Sequence, residues 1–206
     1  GIFFASIYKV KANTISKKIS SYPLQIGIIL LGLTISADSL IPVVKDYFIW
    51  VSFFVIFSFF MSYLFGLLMG LDNKLNLLIS SGLSICGATA MAIAAPLIKA
   101  KPNTLLIALA IIFILNSVAI ILFPFFGTYL NMSDYEFGIF SALAIHDTGS
   151  VVGSALQFSD NSVESAASLK ILRTLWLIPL IVFLNSKFDT SNVINSFPVL
   201  LSLINI

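Results

Sequence analysis

Charge is what this sequence lacks. Asp, Glu, Lys and Arg make up 10% of its 206 residues, against about 25% in a soluble domain. The 11 basic and 9 acidic side chains cannot clothe a water-soluble globule of this length, and 59% of the residues are hydrophobic. Net charge is only +2, so there is no dense basic face, which disfavours a nucleic-acid partner. Cys86 is the single cysteine, which excludes a disulfide framework. One cysteine and one histidine, His146, cannot complete a four-ligand zinc centre, and no metal or cofactor is expected. A basic region, an apolar core and a small-residue cleavage site do not occur in that order, which argues against a signal peptide. The chain starts at Gly1, and residues 1–10 read as the tail of an apolar span, so a piece of something longer is expected. What remains is an all-α polytopic membrane protein, taken as a single transmembrane domain over 1–206.

A helical crossing needs about 20 apolar residues. Residues 47–70 and 104–130 carry no charge and meet that length. Residues 169–184 are shorter and open on Lys170 and Arg173, long basic side chains that could snorkel to the headgroups. Residues 24–36 need the chain to about Val44 to span. Two further segments are apolar but rich in small and polar residues: 75–100, with SSGLSICGATA, and 135–158, with AIHDTGSVVGSA. Small residues at membrane depth permit close helix approach or a break in the helix, so both segments belong inside the protein.

These two segments resemble each other at an offset of sixty. Ile79, Ser81, Leu83, Ile85 and Ala95 pair with Ile139, Ser141, Leu143, Ile145 and Ala155. That pattern suits an inverted repeat with broken helices meeting near the midplane, though chance recurrence of common residues accounts for it equally well. Basic residues bear on the topology. If every segment crosses, Lys9, Lys11, Lys17, Lys18, Lys74 and Lys187 face Lys45, Lys99, Lys101, Lys170 and Arg173, which gives no orientation. If 75–100 and 135–158 re-enter, Lys99 and Lys101 change sides, and the split of eight against three obeys the positive-inside rule.

His146 and Asp147 are the candidates for chemistry. An ionisable group in hydrocarbon costs at least about 2.5–3.5 kcal/mol, so it normally faces a polar cavity or a partner. A His beside a carboxylate can trade a proton near neutral pH, which makes the pair a candidate for proton or ion coupling. A break at Ser84–Ala90 would expose the hydroxyls of Ser84 and Thr89 and bare backbone at Gly87, with Cys86 between them read as an inert buried thiol. Amides opening the second half-helix would suit an anion, and carbonyls closing the first would suit a cation. Gly149 and Ser150 stand in the corresponding place after Asp147. Asn116, mid-span, either ties helices together or lines a path. Lys170 and Arg173, three apart on one helical face, either anchor at the headgroups or attract an anion at the cavity mouth. Catalysis is not expected: an intramembrane hydrolase with Ser81 or Ser84 activated by His146 is conceivable, but no G-x-S-x-G or H-E-x-x-H occurs.

The runs GIILLGLTIS (27–36), SGLSICGATAMAIAAPLIKA (81–100), FGIFSALAIHDTGSVVGSA (137–155) and LKILRTLWLIP (169–179) occur in this order. Together they resemble the YeiH-type sulfate exporter family of bacterial inner-membrane proteins, grouped with the cation–proton antiporter and bile-acid symporter superfamily. The resemblance covers roughly 24–184. It implies a multi-pass secondary transporter of inverted repeats with discontinuous or re-entrant helices. It also implies family positions at Ser84, Cys86, Gly87, His146, Asp147, Lys170 and Arg173. Asp147 and Ser150 stand where the family usually has Glu and Gln, and Gln25 where it has Arg, so the sulfate label transfers weakly.

The expected protein is thus a proton-coupled exporter or exchanger of a small, sulfate-like anion in the bacterial plasma membrane. Its partners would be that anion, protons and the lipid bilayer, and self-association could supply missing helices. The competing readings are a sodium- or proton-coupled symporter or cation antiporter of the same fold, and a non-transporting scaffold subunit.

Overall fold

The computed structural model describes residues 37–188, with side chains from residue 45 onward. Among these residues the structure is entirely helical: α1 (Ala37–Leu68), α2 (Asn73–Ser84), α3 (Ala88–Leu97), α4 (Pro102–Tyr129), α5 (Asp134–Ala144), α6 (Thr148–Phe158), α7 (Ser162–Thr174) and α8 (Leu177–Phe188). Residues 37–44 belong to α1 rather than to an earlier crossing. The rest of the expected span from residue 24, with the run 27–36, lies outside the described residues.

Three stretches are long and apolar enough to cross a membrane: Lys45–Leu68, Pro102–Tyr129 and Ser162–Phe188. The first two turn most of their surface outward, with Phe53, Phe57, Phe60 and Phe65 on α1 and Phe113, Ile114, Ile121 and Phe125 on α4 all exposed. The third differs from the lipid-facing span expected at 169–184. It begins at Ser162, and half of its most apolar window is buried. It also bends between α7 and α8. Pro179 has no amide for the Leu175 carbonyl, which instead takes a tighter bond from Ile178 N at 3.2 Å.

The intervening helices are too short to cross. At 1.5 Å per residue, 10 to 12 residues rise about 15–18 Å, roughly half of a 30 Å hydrocarbon core. Each pair therefore enters, breaks and returns. Lys74, opening α2, donates from Nζ to the Lys99 carbonyl just past α3 at 2.8 Å. Asn161, beyond α6, donates from Nδ2 to Asp134 Oδ2, opening α5, at 3.1 Å. The two ends of each segment therefore lie on one face of the membrane, and α2–α3 and α5–α6 are re-entrant hairpins. Since α4 crosses between them, they enter from opposite faces. The ring of Tyr47, near the start of the apolar stretch Lys45–Leu68 of α1, lies 6.3 Å from that of Tyr135, at the start of α5, which places both on the second face.

Local sequence sets these boundaries. Asp72 caps α2 by accepting from the amides of Lys74 and Leu75. Ser133 and Glu136 form a reciprocal capping box at α5. The hairpins pack through small residues, and α5 lies along α7 more extensively than any other described pair. Gly138 permits that approach, because a Cβ there would collide with the Ser162 carbonyl and the Ala166 amide. Ser162, Ser165, Ala166, Ala167 and Ser168 form the buried face of α7.

Among the described residues, Lys74, Lys99, Lys101 and Lys187 lie at the face of the first hairpin and Lys45 at the other, a split for which the positive-inside rule favours the first face as the cytoplasmic one. In the full-length protein in oriented vesicles, cysteines introduced as Asn73→Cys and Lys101→Cys should react with an impermeant thiol reagent from the cytoplasmic side. Met132→Cys and Asp160→Cys should react from the opposite side. Labelling of positions 73 and 101 from different sides would overturn the hairpin topology.

Candidate functional site

The two breaks occupy Ile85–Gly87 and Ile145–Asp147, again sixty residues apart. At the first, Gly87 adopts φ 62° and ψ −118°, a left-handed conformation that favours glycine. At the second, Ile145 and Asp147 are extended. The tips meet: a Cβ on Gly87 would sit 3.5 Å from both the His146 backbone and Ile112 of α4. One turn further along α4, Asn116 accepts the His146 amide on Oδ1 at 3.2 Å.

A helix that ends inside a bilayer strands its last carbonyls, and its dipole places partial negative charge there. Two such ends, those of α2 and α5, converge here. Arg173 of α7 answers both. Its Nε donates to the Ser84 carbonyl at 2.8 Å and its Nη1 to the Leu143 and Ala142 carbonyls at 2.7 and 3.1 Å. Its Nη2 reaches the Leu83 carbonyl, and the Phe54 ring of α1 lies 5.3 Å from the guanidinium carbon. Lys170, one turn earlier, donates from Nζ to the Ile145 carbonyl at 2.8 Å and to the Ile85 carbonyl at 3.4 Å. Both side chains are 0% exposed.

This placement corrects the expectation for Lys170 and Arg173. Neither anchors at a headgroup or waits at a cavity mouth. Both lie near the middle of the third crossing, bonded to backbone carbonyls of both hairpins. Ser84 also differs from expectation. Its hydroxyl is turned back onto the Ser81 carbonyl at 3.2 Å, and its carbonyl is what faces Arg173. Asn116 is 2% exposed and serves the second tip through its carbonyl oxygen, while its Nδ2 has no partner.

His146 and Asp147 do not bond each other. Asp147 caps α6, its Oδ2 accepting from Ser150 N at 3.0 Å and Ser150 Oγ at 3.1 Å. His146 is half-buried with an unpartnered Nδ1. Cys86 is buried at the first tip, Thr89 and Gly149 are exposed, and Ser150 is half-buried. The opening amides of α3 have no side-chain cap. Sequence reasoning missed the carbonyls of Leu83, Ala142, Leu143 and Ile145, which any residue would supply and which therefore left no signal. An open groove lined by Val55, Phe59, Ser84, Ile85, Trp176 and Phe183 adjoins the first tip, and its walls are almost wholly apolar.

Removing a charged donor from several buried carbonyls at once should be severe. Arg173→Gln is expected to destabilise the full-length protein by at least about 3 kcal/mol, measured as thermal unfolding in detergent. Arg173→Lys should recover little, because one ammonium cannot span the carbonyls that the planar fork reaches. Wild-type melting in the Gln variant would refute the bridging role.

Comparison with known proteins places the chain. It is 44% identical to a UPF0324 membrane protein of Shewanella oneidensis over 126 residues, covering 61% of this chain and 40% of the relative. It is 34% identical to one of Bacteroides thetaiotaomicron over 181 residues, covering 87% and 55% respectively. It is 31% identical to one of Porphyromonas gingivalis over 204 residues, covering 97% and 60%. The chain thus spans about half the length of the curated relatives it matches. No solved structure matches it. The family described as conserved hypothetical protein 698 matches residues 2–197, and the chain belongs to that family of membrane proteins.

Proposed function

We propose that this chain forms part of a secondary transporter of a small, sulfate-like anion, as its resemblance to YeiH-type exporters implies, with transport coupled to protons. The observation that carries the reading is the meeting of two oppositely inserted hairpins around two buried cations. Two half-helices that end at the midplane bring polar backbone to a depth where it is tolerated only inside protein or along a cavity. The uncapped amides opening α3 are donors for an oxyanion, with Thr89 in the same first turn. Arg173 and Lys170 bias the local field toward negative ligands, against the single carboxylate of Asp147. His146 and Asp147, half-buried, are the groups at the tips that water can reach to exchange protons.

The carrier reading also fits the serines better than a hydrolase does. Ser81 and Ser84 direct their hydroxyls to the Leu77 and Ser81 carbonyls and not to His146. One observation favours a second reading within the same class. Both bonds from Ser150 fall on Oδ2 of Asp147, so Oδ1 is available to a cation, and sodium is the alternative coupling ion.

The test uses full-length protein in proteoliposomes, following labelled sulfate under an imposed pH gradient. Uptake should respond to the gradient, and Asp147→Asn should reduce the gradient-driven component at least about tenfold, a barrier change of about 1.4 kcal/mol. A response to sodium but not to pH would select the second reading. Folded protein that moves neither sulfate nor a related anion under either gradient would overturn the carrier reading.

A further inference from the structure

Among the described residues, Lys170 and Arg173 both touch the two hairpin tips, but in chemically different ways. Arg173 distributes a permanent charge over carbonyls of Leu83, Ser84, Ala142 and Leu143, which lie before the breaks, and its Nη1 also reaches the Ile145 carbonyl at 3.4 Å. Guanidinium does not lose its proton in proteins. Lys170 joins the break residues themselves, Ile85 and Ile145, which occupy equivalent places sixty residues apart, and of these two Arg173 does not bond Ile85. An ammonium carries three donors, and only two carbonyls take them up. A lysine amine can also lose its proton, and a charge-assisted hydrogen bond is roughly twice as strong as a neutral one. The Ile85 carbonyl is thus tied to the second tip firmly in one protonation state and weakly in the other.

We propose that Lys170 is a proton-dependent latch between the two hairpin tips: as an ammonium it ties Ile85 of the first tip to Ile145 of the second, and as a neutral amine it frees the Ile85 carbonyl, so that the first break parts from the second while Arg173 still holds the helix ends. This rests on the carrier reading only for its purpose, since tips that part on proton release would connect proton movement to access at the midplane. The groups facing Lys170 are Cys86 from the first hairpin and His146 and Asp147 from the second. Arg173 lies on its own helix, with the Phe54 ring of α1 against its guanidinium, and uncharged Asn116 reaches the second tip from α4. The half-buried His146 and Asp147 offer a released proton its way to water. The sign follows directly. The latch is closed while Lys170 is protonated and loosens as pH rises through its titration.

Cys86, buried on the first tip, reports opening without requiring any transport. In full-length protein with other cysteines replaced by serine, its labelling by N-ethylmaleimide would be followed between about pH 6 and about pH 9, in wild type and in Lys170→Arg. Taking the ratio of the two rates at each pH cancels the intrinsic titration of the thiol. The ratio should rise at least about tenfold across that range, equivalent to about 1.4 kcal/mol of opening. Lost positive charge beside a thiol would slow labelling, so electrostatics alone gives the opposite sign. Should Lys170→Arg fail to fold, Lys170→Met replaces it. The neutral variant should label fast at about pH 6, and its advantage over wild type should vanish toward about pH 9. A ratio that stays flat with pH in either comparison overturns the latch. A pH-dependent ratio in a protein that moves no anion keeps the latch and removes the carrier reading.

Discussion

The structure depends on neutralising two helix carboxyl ends in the middle of a bilayer. α2 and α5 each stop about halfway across, where no water can take up their last carbonyls. An unpaired buried polar group costs on the order of 1–3 kcal/mol, and several gather here. Arg173 and Lys170 answer that demand from one helix, bonding carbonyls of both hairpins at 2.7–3.4 Å. Burying a charge is itself expensive, by several kcal/mol per ion. Cations and helix ends are each unfavourable alone at this depth, and each makes the other tolerable. That reciprocity fixes where the hairpins break, how far they penetrate and which helix must lie behind them.

The rest of the packing serves that meeting point. The small face of α7, built from Ser162, Ser165, Ala166 and Ala167, lets α5 approach until Gly138 has room for hydrogen only. The same small face permits α7 to carry two long basic side chains toward the tips without holding the hairpins away. On the other side, Asn116 accepts the His146 amide and stops the second tip from drifting from α4. The outer surfaces of α1 and α4, by contrast, are aromatic and aliphatic and make few internal demands.

Much of this architecture is legible in the residues. The uncharged runs of α1 and α4 announce crossings by length alone. Gly, Ser and Ala at 75–100 and 135–158 mark segments unsuited to lipid, and the basic residues at 99 and 101 favour their return to the same face. Two features were hidden. The start of the third crossing, SVESAASLK, reads as a loop on hydropathy because its apolar burial is accomplished by Ala and by serines bonded to carbonyls such as that of Ala155. The setting of Lys170 and Arg173 was hidden more deeply, because their partners are main-chain oxygens. A side chain paired with another side chain leaves two letters to find; one paired with backbone leaves a single letter, which a headgroup anchor would have left as well.

The burial of two cations on α7 has a consequence for how the protein is made. A charged residue at the centre of an isolated helix opposes insertion by about 2.5–3.5 kcal/mol, and this helix carries two. Its apolar continuation, α8, eases entry but does not remove that penalty. The carbonyls that compensate it belong to hairpins synthesised earlier in the chain. During biogenesis the third crossing should therefore linger at the insertion machinery until both hairpins are in place, so that the order of assembly follows from the same contacts that hold the finished site.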